Sequence, residues 1–269
     1  MKYKMIASDL DGTLLNDEST LSERTKNAVL RAIDAGALFV IATGRAMSGV
    51  EHIDTLFDRE MPFITFNGAM IIMGKSRKIL VNKYLDFALA KDVFNSGAGF
   101  DVAVIVWTDR RLWASREDKA TRLYNGRAGA EMRIISDFDE LKGERISKLL
   151  WIDTPENIRR YHRDMKERYY GKLNCYPSQP TFLEFVSHEA DKAIAMEEIG
   201  KIYGIDKRDM IAIGDGYNDV SMLEYAGLGV AMENAPDDVK AVCGYVTLSN
   251  NNDGVAAAIE KFILEKETK

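Results

Sequence analysis

The sequence predicts an α/β protein: a Rossmann-like, mostly parallel sheet core with an inserted α+β domain. Three observations predict it. Short apolar strands alternate with amphipathic helices at both ends of the chain, the pattern of a parallel sheet covered on both faces. The notable polar residues stand where those strands end. The middle of the chain breaks the alternation with hairpin-type strands.

Residues 4–8 (KMIAS) read as a strand that runs into Asp9-Leu10-Asp11-Gly12-Thr13. A helix is predicted over 21–35, with Leu21, Ala28, Val29, Ala32 and Ile33 on one face and Gly36 as its stop. The strand ALFVIA (37–42) ends in Thr43-Gly44-Arg45, and a helix over 46–57 leads to the strand FITF (63–66), which ends in Asn67-Gly68. A hairpin-like run of β-formers covers 69–84. The same grammar returns with a helix over 190–203, the strand MIAIG (210–214) ending in Asp215-Gly216, a helix over 218–226, LGVAM as a strand, a helix opened by Pro236, YVTL as a strand and a helix over 253–265.

The middle reads differently. VAVIVWT (102–108) and RLWAS (111–115) form two strands joined tightly at Asp109-Arg110. A helix over 116–125 and the strand KLLWID (148–153) follow. Thr154-Pro155 caps and opens a helix that buries Ile158, Tyr161 and Met165, and strands near 172–177 and 181–187 close the segment. A second domain is therefore placed at 84–187, within a core of 1–83 and 188–269. Trp107, Trp113 and Trp151 fall in the inserted strands, where packing of the sheet is their expected role.

Composition narrows the function. The 269 residues are 46% apolar and 29% charged, enough for a sizeable core. A net charge of −6 argues against a general nucleic-acid or anionic-membrane binder, and the acidic excess lies in the core segments. Asp9 and Asp11 interrupt any leading apolar run, no stretch has the length of a membrane span, and Cys175 and Cys243 form no disulfide framework. The expectation is a cytoplasmic protein, a monomer or small homo-oligomer, with free thiols. There is no dinucleotide, Walker or zinc-protease motif.

In a parallel α/β sheet, ligands bind outside the carboxyl ends of the strands. Asp9, Asp11, Thr43, Asn67, Asp215, Asn218 and Asp219 all follow such ends. Carboxylates gathered there repel one another unless a cation joins them, and oxygen-rich sites suit Mg²⁺. Each residue has two readings. Asp9 is a turn aspartate or a nucleophile that is already ionised at neutral pH and forms an aspartyl phosphate. Asp11, two residues on, returns toward the same side as Asp9 and could protonate a leaving group and then activate water. Thr43 is a helix cap or a donor to a phosphoryl oxygen, with Gly44 admitting backbone N–H groups. Lys192 is a solvated helix lysine or the cation that balances the aspartates. Gly214-Asp215-Gly216-Tyr217-Asn218-Asp219 is an Asx-rich turn or a metal and phosphate loop.

DLDGT at 9–13, ATGR at 42–45, Lys192 and GDGYND at 214–219, in this order, resemble the haloacid dehalogenase-like superfamily of phosphatases, and within it the Cof-type branch. The Asn67-Gly68-Ala69 turn, NNDGVAAAIE at 251–260 and the position of the insertion share the likeness. The resemblance implies Asp9 as nucleophile and metal ligand. It implies Asp11 as general acid/base that also reaches the metal through its backbone carbonyl. Leu10, Thr43, Gly44, Lys192 and Asn218 are the implied phosphate contacts. Asp215 is the implied further metal ligand, with Asp219 as its supporting acid, and the insertion is a mobile cap. The implied activity is Mg²⁺-dependent hydrolysis of a small phosphorylated metabolite, with Arg110, Arg111 and Tyr176 of the insertion as candidates for reading it. Two alternatives share the same residues: a phosphomutase of the superfamily, and a phosphoaspartate signalling module.

Overall fold

The computed structural model describes residues 2–108, 111–128 and 131–265. In chain order the regular elements are β1 (Met5–Asp9), α1 (Glu23–Asp34), β2 (Leu38–Ala42), α2 (Glu51–Phe57), β3 (Pro62–Thr65), β4 (Met70–Met73) and β5 (Ile79–Asn82). Then come α3 (Phe87–Gly99), β6 (Ala103–Thr108), β7 (Leu112–Ala114), α4 (Lys119–Ala128), β8 (Met132–Ile134), β9 (Ile146–Ile152), α5 (Pro155–Arg168), β10 (Leu173–Gln179) and β11 (Phe182–Ser187). The chain closes with α6 (Lys192–Tyr203), β12 (Met210–Gly214), α7 (Val220–Tyr225), β13 (Leu228–Ala231), α8 (Asp237–Ala241), β14 (Tyr245–Val246) and α9 (Gly254–Ile259). Two compact units result: Met1–Val81 with Asp191–Lys269, and Asn82–Ala190.

The first unit holds an eight-stranded sheet in the order β14-β13-β12-β1-β2-β3-β4-β5. Its centre is parallel: β1 pairs with β12 and with β2, β2 with β3, and β12 with β13, while β3–β4 is antiparallel. From β1 the chain steps one way to β2 and β3 and later returns on the other side as β12. The carboxyl ends of β1 and β12 therefore flank the point where the strand order reverses.

Side-chain alternation then decides which face each residue serves. Met5 and Ala7 of β1 join Ala195, Met196 and Ile199 of α6 and Met222 of α7 in one buried cluster. Asp9 has the same parity, so it leaves the strand on the face that α6 covers. α6 begins at Lys192, capped by Asp191, whose Oδ1 accepts the N–H groups of Ala193 and Ile194 at 2.7 and 3.2 Å. Gly68, at φ +104°, lies so close to Asp191 that a Cβ there would stand 2.3 Å from its carbonyl oxygen. The turn after β3 thus locks the start of α6 beneath the sheet edge.

The inserted unit carries a six-stranded sheet, β10-β11-β9-β6-β7-β8. Val104, Val106, Leu149, Trp151, Leu183 and Phe185 point to one face and pack with residues of α3 and α5. Thr154 caps α5, and Ile158, Tyr161 and Met165 are its buried residues, as the spacing predicts. The tryptophans divide. Trp151 is fully buried in this core and Trp113, partly buried, packs against it at its margin, whereas Trp107 donates its ring N–H to the Tyr124 hydroxyl at 2.9 Å. β6 and β7 pair antiparallel as expected. The Asp109-Arg110 connection lies outside the described residues.

Helix α3 does not appear in the sequence reading, which gives no element to residues 85–101. Its glycines lower helix propensity, although the residues it buries, Ala90, Val93, Phe94 and Gly97, have helical spacing. The structure supplies the reason for Gly97: a Cβ there would stand 2.4 Å from Val104 Cγ2 and 3.0 Å from Trp151 Nε1. Gly97→Ala gains about 1 kcal/mol of helix propensity but overpacks a core that has no room, at about 1–3 kcal/mol. The expected result is a lower urea midpoint at unchanged slope. A raised midpoint would show that Val104 and Trp151 can retreat.

Candidate active site

The structure brings the strand-end residues of the core to one edge. One carboxylate oxygen from each of Asp9, Asp215 and Asp219 lies within 4.8 Å of the others. Lys192 sits among them, 1% exposed. Its ammonium donates to Asp9 Oδ1 and to Asp219 Oδ1, each at 2.6 Å, and to the Ala42 carbonyl at 3.0 Å. A lysine has three donors, and all three are used here. Asp219 is also consumed: its other oxygen accepts the backbone N–H groups of Asp215 at 3.1 Å and Gly216 at 2.9 Å. Asp219 thus shapes the loop after β12 and anchors the lysine.

Asp215 keeps one side toward Asp9. Its Oδ1 accepts the Thr13 hydroxyl at 2.7 Å. Gly12, at φ +77°, approaches its Oδ2 so closely that a Cβ would stand 2.6 Å away. The positive φ and the missing side chain are both required, which accounts for glycine between Asp11 and Thr13.

Thr43 is buried, and its Oγ1 accepts the Arg45 N–H at 3.0 Å, which leaves the hydroxyl proton for an anion. Asn218 is exposed and donates to Asn67 Oδ1 at 3.1 Å. Gly44 lies against Asn67, where a Cβ would meet Nδ2 at 2.8 Å. The Leu10 side chain is fully buried, and its carbonyl accepts the Leu15 N–H at 2.9 Å.

The Asp11 carboxylate is not among the three grouped acids. It is half exposed and held by the Arg45 guanidinium, with Nε donating to Oδ2 at 2.8 Å and Nη2 donating to Oδ1. β1 ends at Asp9, so the period-two argument stops there.

The electrostatics explain why these groups tolerate burial together. Burial works against the charge on Lys192, but Asp219 and Asp9 outweigh it and hold its pKa above the ordinary lysine value. Burial and the charge of Asp219 raise the pKa of Asp9 well above the usual carboxylate range, against the pull of Lys192. Asp215 is pushed up to about 6, chiefly by burial, with the Thr13 hydroxyl opposing and Asp219 adding to the rise. Three carboxylates against one lysine leave an excess of buried negative charge. A hard divalent cation on Asp9 and Asp215 would remove it, and an all-oxygen donor set is the one Mg²⁺ takes. The residues present therefore fit a metal.

Three contributors have no role that the sequence assigns. Arg45 belongs to the ATGR motif, and its contact with Asp11 depends on side-chain direction. Asn67 stands at its strand end, where its Oδ1 accepts from Asn218. Asn234 carries no local motif at all, and its amide donates to the Gly12 carbonyl at 2.8 Å.

A parallel α/β core with clustered carboxylates and a buried lysine at its strand ends defines an enzyme class built to handle phosphate. The chain belongs to the haloacid dehalogenase-like hydrolase family, whose model matches residues 6–259, and it is a phosphatase of that family. Two curated Bacillus subtilis relatives, YwtE and YcsE, are both named 5-amino-6-(5-phospho-D-ribitylamino)uracil phosphatase. YwtE is 32% identical over 97% of this chain and 98% of its own. YcsE is 31% identical over 97% and 96%. Among solved structures, a haloacid dehalogenase-like hydrolase from Bacteroides thetaiotaomicron superposes with a TM-score of 0.85 at 29% identity, covering 96% of this chain and 99% of that one. No helix among the described residues is long and apolar enough to cross a membrane.

Proposed function

We propose that the protein is a cytoplasmic, Mg²⁺-dependent phosphatase that hydrolyses a small phosphorylated metabolite through a phosphorylated Asp9. The observation that carries this reading is the Asp9–Lys192–Asp219 cluster: a buried carboxylate held at the end of the central strand by a lysine whose own charge is anchored by a second acid.

In the proposed reaction an Asp9 oxygen attacks phosphorus in line, and the bond from phosphorus to the substrate oxygen breaks. Asp11 leaves Arg45 and gives a proton to that oxygen; it then takes one from the water that attacks phospho-Asp9, releasing inorganic phosphate. The Thr43 hydroxyl, the Gly44 N–H and the Asn218 amide hold phosphoryl oxygens. Lys192, with its donors already engaged, acts through its charge, which opposes the rise in the Asp9 pKa and holds that carboxylate in place. Asp9 and Asp215 would hold the metal, joined by the Asp11 carbonyl, and Asp219 would support them. When bound, Mg²⁺ supplies charge neutralisation to the phosphoryl group. Substrate choice is assigned to the inserted unit, because the core residues named here all address phosphate or metal.

A screen over sugar phosphates, nucleotides, FMN, pyridoxal phosphate and ribitylamino-pyrimidine phosphates tests the reading. The expected result is phosphate release from at least one member with Mg²⁺ present, falling to background in EDTA and returning on readdition. Turnover that survives full chelation would sink it. Dependence on a bisphosphate activator would favour a mutase.

A further inference from the structure

Asn234 follows β13 and has an exposed side chain whose orientation is nevertheless fixed. Its Oδ1 accepts the Asn250 N–H at 3.0 Å, so its Nδ2 edge must face the other way. That edge donates to the Gly12 carbonyl at 2.8 Å and stands 3.5 Å from Asp215 Oδ2. With Thr13 on the opposite oxygen, Asp215 is bracketed by one donor on each side. Gly12 is also the residue pressed against Asp215, so a single amide sets the spacing between the loop after β1 and the acid after β12.

The segment that holds Asn234 is itself tied to the same loop. The buried Asn250 donates its amide to the Leu15 carbonyl at 3.2 Å and to Asp17 Oδ1 at 3.0 Å. Asn251 exchanges two bonds with Asp17: it accepts the Asp17 N–H at 3.1 Å and donates to Asp17 Oδ2 at 2.8 Å. Asparagines 250 and 251 therefore hold residues 15–17, and Asn234 holds residue 12. The loop after β1 is held at residue 12 and again at residues 15 and 17.

We infer that Asn234 is a positioning residue. It orients the Asp215 carboxylate and fixes the Gly12 carbonyl, and so sets the affinity of the site for its divalent cation without touching that cation. This rests on the reading of Asp9 and Asp215 as the pair that holds metal. Removing a group that orients a ligand typically weakens a metal site by about 10–100-fold.

The test is direct binding of Mn²⁺, followed by electron paramagnetic resonance, to the wild-type chain, Asn234→Ala and Asn251→Ala, with thermal unfolding of each in EDTA. Asn234→Ala is expected to weaken Mn²⁺ about tenfold or more, with a fall in unfolding temperature no larger than that of Asn251→Ala, since each change removes hydrogen bonds made by an exposed asparagine. Asn251→Ala is expected to lower the unfolding temperature while its Mn²⁺ affinity stays within about twofold, because it touches Asp17 and not Asp215. Equal Mn²⁺ affinity in wild type and Asn234→Ala would overturn the inference, as would equal weakening in both variants, which would show general loosening of the loop. A wild-type chain that binds no Mn²⁺ would overturn the metal reading itself, and this inference with it.

Discussion

Asp9→Asn is expected to abolish phosphatase activity, by a factor of about 10⁴ or more, with the fold retained. The amide keeps the size of the carboxylate and can still accept the Lys192 proton now received at 2.6 Å. What it loses is the ability to attack phosphorus as an anion. At about 1.4 kcal/mol per factor of ten, such a loss exceeds about 5 kcal/mol of transition-state stabilisation. No single phosphate contact in the site offers that much, so Thr43→Ala or Asn218→Ala should each cost far less. Unfolding in EDTA should show Asp9→Asn at least as stable as the wild type, because burial and Asp219 already disfavour the charge on Asp9. Steady-state turnover with Mg²⁺, set beside that melt, checks both halves. Residual activity above one part in about a thousand would reassign the nucleophile.

The second large effect concerns stability. Lys192 is fully buried between Asp9 and Asp219, and Lys192→Met keeps its length while removing the charge. Two buried carboxylates are then left without a cation. Breaking a buried ion pair from one side typically costs about 3–5 kcal/mol, because the partner charge stays behind. With about 2–4 °C per kcal/mol for a chain approaching this size, the core transition in EDTA should fall by on the order of 10 °C. The double variant Lys192→Met with Asp219→Asn should recover part of the fall. Its amide oxygen can still accept the Asp215 and Gly216 N–H groups, and one buried charge is gone. A single variant that melts within about 2 °C of wild type would mean that the cluster is well hydrated and the burial argument wrong.

How legible the site is in the sequence differs residue by residue. Asp9, Thr43 and Asp215 are readable because each follows a short apolar strand, and a parallel sheet delivers its strand ends to one edge whatever the loop lengths. Lys192 read alone is a solvated helix lysine; the resemblance is what singled it out, and the structure buries it completely. Its partners come from β1 and from the loop after β12, separated from it by 183 and 27 residues, and no local pattern encodes that meeting. Asp11 shows the limit of periodicity: alternation carries the argument to Asp9, where β1 ends, and the next carboxylate is held by Arg45. Asn234 had no signal at all, since an amide between a strand and a helix looks like any loop asparagine. In the inserted unit, the spacing on α5 was clear because one face is apolar and the other charged. α3 buries Ala90, Val93, Phe94 and Gly97, a helical spacing that the two glycines near its end mask because they lower helix propensity.

The sequence by itself determined the alternation of strands and helices in the core segments, the parallel core, the break in the middle and the set of acids at the strand ends, because these depend on local apolar spacing and turn residues. Only the tertiary structure decided that Lys192 is a buried counterion, that Asp219 is spent on backbone and lysine, that Arg45 holds Asp11 and that Asn234 brackets Asp215. Those are matters of side-chain direction and of desolvation, and both are set by what distant elements place on the other side of a group.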